Sequence, residues 1–261
     1  MILDQIVAGS VVRAAALPAD MTLLCSTTNS FKTVSKHQPI SLSRAVKERN
    51  GKNAIIAEIK PASPSRGKIR DIGDPAIVAQ DLIAGGCCAL SVITEPSYFQ
   101  GSSATIQKIR QMVQVPILRK DFIVDKRQLI ETRMLGADAV LLIAAVLGEE
   151  LGEFVDYAMK EGLEPLVEVH NRQEVIMALD TRAELIGVNN RNLKTFRTDL
   201  STTIHLAPLV RQAGRTVISE SGVTWPCDVR TLKSYADGYL IGSSIMASNN
   251  PQRRLEGFVY A

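Results

Sequence analysis

Eight short apolar runs recur along this chain after residue 50, and their number constrains the fold more than any other feature. They lie at 54–60, 89–95, 115–122, 139–147, 164–170, 185–191, 215–222 and 238–246. Near-continuous apolar sequence is typical of strands buried on both faces, as in parallel sheets covered by helices. Stretches with helical periodicity separate the runs, for example 75–84 and 126–135, and glycine follows both of these, as it commonly does at helix ends.

This alternation of strands and helices predicts a closed (β/α)8 TIM barrel. An open doubly wound sheet normally has fewer strands, and no GxGxxG sequence follows the first run. A length of 261 residues suits one barrel. We therefore expect residues 1–261 to form a single domain. Within it, residues 1–50 are expected to be an N-terminal extension packed on the barrel, with a helical pattern at 3–17 and a polar passage at 26–35.

Composition narrows the function classes. The formal net charge is only +3 and the basic residues are scattered, whereas a nucleic-acid-binding surface concentrates them. No apolar run reaches the roughly 20 residues that span a bilayer, and the N-terminus lacks the layout of a signal peptide. We therefore expect a cytoplasmic protein that binds neither nucleic acid nor a membrane. The four cysteines include no CxxC pair and the three histidines have no ligand-like spacing, so no metal site is predicted.

Polar and charged residues end several of the apolar runs, at the level where active sites lie in barrels of this kind. The period of two places Glu58 and Lys60 on one face of the first run. It aligns Lys120 with Leu118 and Phe122 in the third run. If these faces point inward, the barrel mouth is ringed by Glu58, Lys60, Lys120, Glu168, Asn189 and Glu220.

The charge of this ring points to catalysis. Each residue alone could be a solvated strand end or part of an ion pair at the rim. Burying the whole set would be a costly way to stabilise a core, because a buried charge is unfavourable unless it is paired. A mixture of lysine and glutamate suits acid–base catalysis, since partial burial and mutual pairing can bring their pKa values toward neutrality. The set therefore predicts an active site.

Small residues after three of the runs predict a phosphate site. Ser63 lies in a serine-rich loop after the first run, Gly222 closes the seventh, and Gly242 with Ser243 closes the eighth before a helical turn. Such residues let backbone N–H groups approach an anion, and barrels frequently bind phosphate after strands seven and eight. Each loop alone could be ordinary turn chemistry. Together they predict a phosphorylated small-molecule substrate.

Seven segments at the predicted strand ends carry a recognisable combination of motifs. They are AEIKPASPSRG (57–67), ITEPSYFQGS (93–102), PILRKDFI (116–123), EPLVEVH (164–170), IGVNNRNLKTF (186–196), SESG (219–222) and LIGSSIM (240–246). In this order they resemble the indole-3-glycerol-phosphate synthase family. AEIK with SPS and LRKDF distinguishes that family from related phosphate-binding barrels. One departure is Asn192, where the family commonly has aspartate.

The resemblance implies a reaction. The substrate would be 1-(o-carboxyphenylamino)-1-deoxyribulose 5-phosphate, and the products indole-3-glycerol phosphate, CO₂ and water, without a metal or organic cofactor. The implied catalytic residues are Lys120, Glu168, Glu58 and Lys60, with Lys120 as the general acid that protonates the ketone oxygen. The implied substrate-binding residues are Asn189, Arg191, Glu220, Ser221, Phe99, Phe122 and Leu141, of which the last could equally be core. The phosphate would be held by Ser63, Gly222, Gly242 and Ser243.

Two other functions stay open at this stage. Another phosphate-binding barrel isomerase would normally use one carboxylate with one acid partner, which leaves Glu58, Lys60 and Lys120 unexplained. A non-catalytic barrel subunit would be expected to lose its charged strand-end residues, yet they are all present. We expect a monomer, with docking to neighbouring enzymes of the tryptophan pathway left open.

Overall fold

The computed structural model describes residues 2–21, 37–49, 51–193 and 195–261. The polar passage predicted at 26–35 lies outside these ranges. Within the described residues that precede the barrel, there are two helices: α1 (Ile2–Ala15), close to the helical pattern predicted at 3–17, and α2 (Leu42–Lys47).

Eight parallel strands close into a barrel, as predicted. They are β1 (Ile55–Ile59), β2 (Ala89–Ile93), β3 (Ile117–Lys120), β4 (Ala139–Ile143), β5 (Glu164–Val169), β6 (Leu185–Asn189), β7 (Thr216–Glu220) and β8 (Gly238–Ile241). Each pairs with its neighbours in sequence, and β1 pairs with β8 to close the barrel. A short antiparallel pair, Ala62–Ser63 with Gly67–Lys68, follows β1.

Helices cover the outside of the barrel. They are α3 (Pro75–Ala84), α4 (Ser103–Arg110), α5 (Lys126–Leu135), α6 (Ala144–Leu147), α7 (Leu151–Lys160), α8 (Arg172–Leu179), α9 (Ser201–Gln212), α10 (Pro226–Leu232), α11 (Ser243–Met246) and α12 (Pro251–Val259), with a 3₁₀ turn at Gly148–Glu150. The helices predicted at 75–84 and 126–135 are confirmed. Among the helices of the described ranges, none combines the length and apolar character that a membrane crossing requires.

The alternation of side chains along each strand separates two cores. Odd-numbered residues of β1, such as Ile55 and Ile59, pack outward under the helices. Ile56 points inward and joins a second cluster inside the barrel. Leu42 and Val46 of α2 belong to this inner cluster together with residues at the starts of the strands, so α2 closes the amino end of the barrel. The opposite, carboxyl end is left open for a site.

Two of the predicted strands are too long. The run at 139–147 divides into β4, which ends at Ile143, and the helix α6. The run at 238–246 divides in the same way at Gly242, with α11 after it. A continuous apolar run has no periodicity of its own, so it cannot reveal where a buried strand becomes a buried helical turn. The other runs also overshoot by one or two residues, which places several of the predicted site residues just beyond the strand ends.

Candidate active site

A cavity of about 160 Å³ lies at the carboxyl end of the barrel. Of the predicted site residues, those lining it are Glu58, Lys60, Ser63, Phe99, Lys120, Phe122, Leu141, Glu168, Asn189, Arg191, Ser221, Gly222, Gly242 and Ser243. Glu220 lies beneath the floor, buried beside Lys120. The structure therefore brings together the whole predicted set.

Lys120 is the centre of this arrangement. Its Nζ donates to Glu168 Oε2 at 3.1 Å and to Glu220 Oε2 at 3.3 Å, so the ends of β3, β5 and β7 meet through one ammonium group. On the other side of the mouth, Lys60 forms an ion pair with Glu58. The alternation predicted from the sequence is thus confirmed for all four strands.

The surroundings separate the protonation states of the three central groups. Burial opposes the charged form of Lys120, but Glu168, Glu220 and Glu58 outweigh it and hold its pKa above the ordinary value. Burial also opposes ionisation of Glu168, yet Lys120, His170 and Asn189 hold its pKa below the ordinary value. Burial, aided by the charge of Glu168, raises the pKa of Glu220 to about 7 despite Lys120. At neutral pH the site thus holds an ammonium, a carboxylate and a carboxyl group that can carry a proton.

Three polar atoms of the site are buried and make no hydrogen bond within the described part of the chain. They are Glu58 Oε1, Ser63 Oγ and Glu220 Oε1. An unpaired buried polar atom costs about 1–3 kcal/mol, so proteins rarely keep one without a use. Glu58 and Ser63 line the cavity and Glu220 lies beneath it, so these unpaired atoms indicate a place prepared for a polar ligand.

Two glycines make room for the carboxylates. A Cβ at Gly187 would lie 2.0 Å from Glu220 Oε1, and a Cβ at Gly242 would lie 2.1 Å from Glu58 Oε2. Any side chain at either position would therefore displace a carboxylate of the site. From the sequence, Gly242 is predicted only as a phosphate residue and Gly187 is not predicted at all, because no local pattern marks a glycine that faces a side chain of the next strand.

The predicted phosphate residues all line the cavity. Gly222 has a φ of 86°, which favours glycine, and the preceding Ser221 has a φ of 60°. Ser244 Oγ is already engaged with the Val223 carbonyl at 3.2 Å. Ser243, by contrast, faces the cavity at the start of α11. Backbone held in these conformations at a cavity is suited to binding an anion.

Part of the cavity lining is apolar. The rings of Phe99 and Phe122 lie 6.3 Å apart at an interplanar angle of 35°, with Leu141 on the same cavity. Helix α1 contributes Ile2, Leu3 and Ile6 to the lining. The lining of the cavity therefore combines apolar side chains with polar groups suited to an anion.

Helix α1 is tied to the strand that carries Lys120. Ser10 Oγ donates to the carbonyl of Phe122, and Arg13 Nη2 donates to Asp121 Oδ1 at 3.1 Å. Arg13 Nη1 also reaches Glu95 Oε1 at 3.4 Å. These contacts cannot be predicted from the sequence, since an isolated serine and arginine on a helix carry no local signal of a partner more than 80 residues away.

Arg191 adds positive charge at the rim. Its Nη1 donates to the Phe196 carbonyl at 2.9 Å and lies 3.4 Å from Ser65 Oγ. Burial and then the neighbouring charge of Arg66 lower the pKa of Arg191. Two neighbouring cations at a cavity favour an anionic group of a ligand. Within the described residues, no group of three or more His, Cys, Asp or Glu side chains is placed to hold a metal ion.

Comparison with known proteins places this chain among sequences of one activity. A family model described as indole-3-glycerol phosphate synthase matches residues 3–258. The chain is 45% identical to the indole-3-glycerol phosphate synthase of Methanocaldococcus jannaschii, over 87% of this chain and 85% of that protein. It is 44% identical to the protein of the same name from Carboxydothermus hydrogenoformans, over 85% of this chain and 86% of that protein.

Solved structures with low sequence identity share the fold. A thiamine phosphate pyrophosphorylase from Pyrococcus furiosus superposes with a TM-score of 0.60 at 16% identity, covering 80% of this chain and 95% of that one. A mutant tryptophan synthase alpha-subunit from the same organism gives a TM-score of 0.60 at 15% identity, covering 79% and 98%. At such identities the likeness concerns the barrel alone.

Proposed function

The chain belongs to the indole-3-glycerol phosphate synthase family, and we propose which of its residues act in each step of indole ring closure. The reaction is a step of tryptophan biosynthesis and makes the chain a carboxy-lyase. It converts 1-(o-carboxyphenylamino)-1-deoxyribulose 5-phosphate to indole-3-glycerol phosphate, CO₂ and water. The observation that carries the division of roles is the position of Lys120 Nζ, within 3.3 Å of two buried carboxyl groups from other strands.

Lys120 is the general acid of ring closure. As the aromatic carbon attacks the ketone, negative charge develops on the ketone oxygen, and the ammonium of Lys120 stabilises that charge and donates a proton. The raised pKa of Lys120 keeps the proton in place until the oxygen becomes basic. Loss of CO₂ then restores the aromatic ring.

The carboxyl groups manage dehydration together with Lys60. The ketone oxygen must gain two protons to leave as water, while the adjacent carbon loses one. Because the ring carboxylate departs as neutral CO₂, each turnover takes one proton from solvent. Glu58, paired with Lys60, and Glu168, paired with Lys120, are the carboxylates that exchange protons with the substrate. Glu220, with its pKa near 7, can hold a proton beside them, and it and Asn189 also hold substrate hydroxyls.

The apolar and polar groups of the cavity lining orient the substrate. Phe99, Phe122 and Leu141 contact the anthranilate ring, Arg191 and Ser221 contact polar groups of the substrate, and Ser63, Gly222, Gly242 and Ser243 hold the phosphate. An extended substrate held at both ends has its reacting carbons fixed between Lys120 and Glu58, which lowers the entropic cost of ring closure.

Indole fluorescence tests the proposal. On mixing the purified protein with 1-(o-carboxyphenylamino)-1-deoxyribulose 5-phosphate, fluorescence should grow at a rate proportional to enzyme without added metal.

Ser63→Ala should raise KM severalfold and leave kcat nearly unchanged, because phosphate is bound equally before and during the reaction. An unchanged KM would remove Ser63 from the phosphate site. No fluorescence with folded wild-type protein would favour a non-catalytic barrel.

The cellular setting is part of the same proposal. A biosynthetic enzyme acting on a phosphorylated intermediate fits the cytoplasm. We propose that the chain acts there as a monomer and takes its substrate from solution, with neither nucleic acid nor a membrane as partner. Light scattering across a concentration series tests the monomer. Mixing with other enzymes of tryptophan biosynthesis tests docking, which would appear as an increase in mass.

A further inference from the structure

His170 lies just beyond the end of β5, between two carboxylates. Its Nδ1 is 3.0 Å from Glu174 Oε2, and its Nε2 is 3.2 Å from Glu168 Oε1. The contact with Glu168 is an ion pair, because Nε2 makes no hydrogen bond within the described residues. The imidazole is largely buried, with 12% of the side chain exposed. It therefore connects the carboxylate beside Lys120 with a second carboxylate on the first turn of α8.

The position of the His170 ring is fixed from the side away from substrate. Glu174 Oε2 also accepts from the His170 backbone N–H at 2.7 Å. Glu174 is itself held by Asn171, the N-cap of α8, whose Oδ1 accepts from the Glu174 backbone N–H at 3.0 Å. A rigid helix start thus holds the imidazole against Glu168, as a supporting group must be held to position another side chain.

The two carboxyl groups that share Lys120 have different surroundings. Glu168 Oε1 accepts a hydrogen bond from Asn189 Nδ2 at 3.0 Å and lies beside the His170 ring. Glu220 Oε1 is buried and makes no hydrogen bond within the described residues. Lys120 contacts both groups at similar distances, so Lys120 cannot distinguish them. The two groups differ in the contacts of their Oε1 atoms, which are the oxygens that do not contact Lys120.

We propose that His170 is a positioning residue, which holds Glu168 as the ionised carboxylate beside Lys120 and thereby leaves Glu220 as the carboxyl group that carries a proton. The inference rests on the proposed division of roles at this site and identifies the residue that keeps Glu168 ionised and Glu220 protonated. Two carboxyl groups beside one ammonium would otherwise share a proton, as interacting carboxylates do.

The charges around His170 agree with this role. Burial disfavours the imidazolium, but Glu168 and Glu174 outweigh it and raise the pKa of His170 to about 10. A cavity of about 800 Å³ borders His170, and the other charged groups that line it are Arg191, Arg197 and Asp199 of the loop after β6. The cation therefore persists across the working pH range. Its raised pKa also means that its stabilising contribution is complete below about pH 6.5 and is lost as the pH rises through about 10.

The test is the pH dependence of kcat in His170→Gln. Glutamine keeps a donor but removes the charge, so Glu168 should ionise only at higher pH. We expect the acidic limb of the kcat profile to move upward by about one pH unit or more, so that kcat falls about tenfold at pH values on that limb, while KM changes less than about twofold. The control is His205→Gln, on the exposed side of α9, which should leave the profile unchanged.

A second variant and an NMR measurement also test the role of His170. Glu174→Gln keeps an acceptor oxygen for His170 but removes the negative charge of its outer partner, so it should shift the limb in the same direction by a smaller amount. Nitrogen-15 NMR of the wild-type imidazole should show it protonated at pH 8. A neutral ring at pH 8, or a profile unshifted in both folded variants, would overturn the role of His170. Absent turnover in the wild type would instead refute the proposed function, and the NMR result would still stand by itself.

Discussion

Buried carboxylates occur at both ends of this barrel, but the two ends differ in how many hydrogen bonds the protein supplies to them. At the amino end, Asp138 precedes β4 and each of its oxygens accepts two hydrogen bonds. Oδ1 accepts from the His37 ring at 2.6 Å and from the Ile40 N–H at 2.8 Å. Oδ2 accepts from Arg110 Nη1 and from the Ile117 N–H, both at 2.7 Å. This carboxylate is completely satisfied by the protein.

At the carboxyl end, the acidic groups are just as buried but incompletely satisfied. Glu58 and Glu220 are each 1% exposed, and each keeps one oxygen without a hydrogen bond in the described part of the chain. Two of the three carboxyl groups there share one lysine. Burial and charge therefore do not distinguish a structural cluster from a functional one. The distinction lies in whether the protein supplies every hydrogen bond or leaves some for a ligand.

The largest expected effect of breaking the carboxyl-end cluster is on catalysis. Lys120→Ala should lower kcat by about two to four orders of magnitude, because general acid catalysis is lost, while the protein stays folded. Indole fluorescence gives the rate, and circular dichroism checks the fold. Near-normal turnover would refute the assignment of Lys120 as the acid.

The matching change at the amino end should act on stability. Asp138→Ala leaves Arg110 buried without its charged partner, and removing one member of a buried pair typically costs about 3–5 kcal/mol in the free energy of unfolding. Activity per folded molecule should stay close to normal. Denaturant unfolding measures the loss. The control is Asp71→Ala, which breaks an exposed pair with Lys68 and should leave the free energy of unfolding nearly unchanged. Equal losses in both variants would contradict the comparison.

A smaller effect is expected where a glycine makes room for the cluster. Gly187→Ala places a methyl group against Glu220, whose carboxylate must move, and small misplacements of catalytic groups are costly, so kcat should fall about tenfold. Gly152→Ala is the control, since it lies on α7 with open space around it. It lies in the first turn of that helix and should leave kcat unchanged. Unchanged kcat in the Gly187 variant would show that Glu220 tolerates displacement.

These clusters were not equally predictable from the sequence. Lys120 and Glu168 stand out because a period of two and a known active end define which strand residues face the cavity. Asp138 has no such signal, since its partners His37 and Arg110 come from separate segments. The same holds for Gly187 and for the contacts of α1, because their partners are distant in sequence and come into contact only in the folded barrel. Strand ends at 143 and 241 were missed because apolar runs continue into the next helix.

The smallest expected effect is at Asn192, on the exposed rim of the carboxyl end. Its Oδ1 accepts from the Thr195 backbone N–H at 3.0 Å, a role that an aspartate oxygen can also fill. Asn192→Asp adds a negative charge in a solvated loop next to Arg191, where screening keeps electrostatic effects modest. We expect kcat/KM to stay within about twofold or to rise, measured by indole fluorescence at low and high salt. A loss of tenfold or more at both salts would mean that Arg191 needs its positive charge uncompensated for substrate binding. The rim would then belong with the functional cluster, although its polar groups are largely satisfied by the loop.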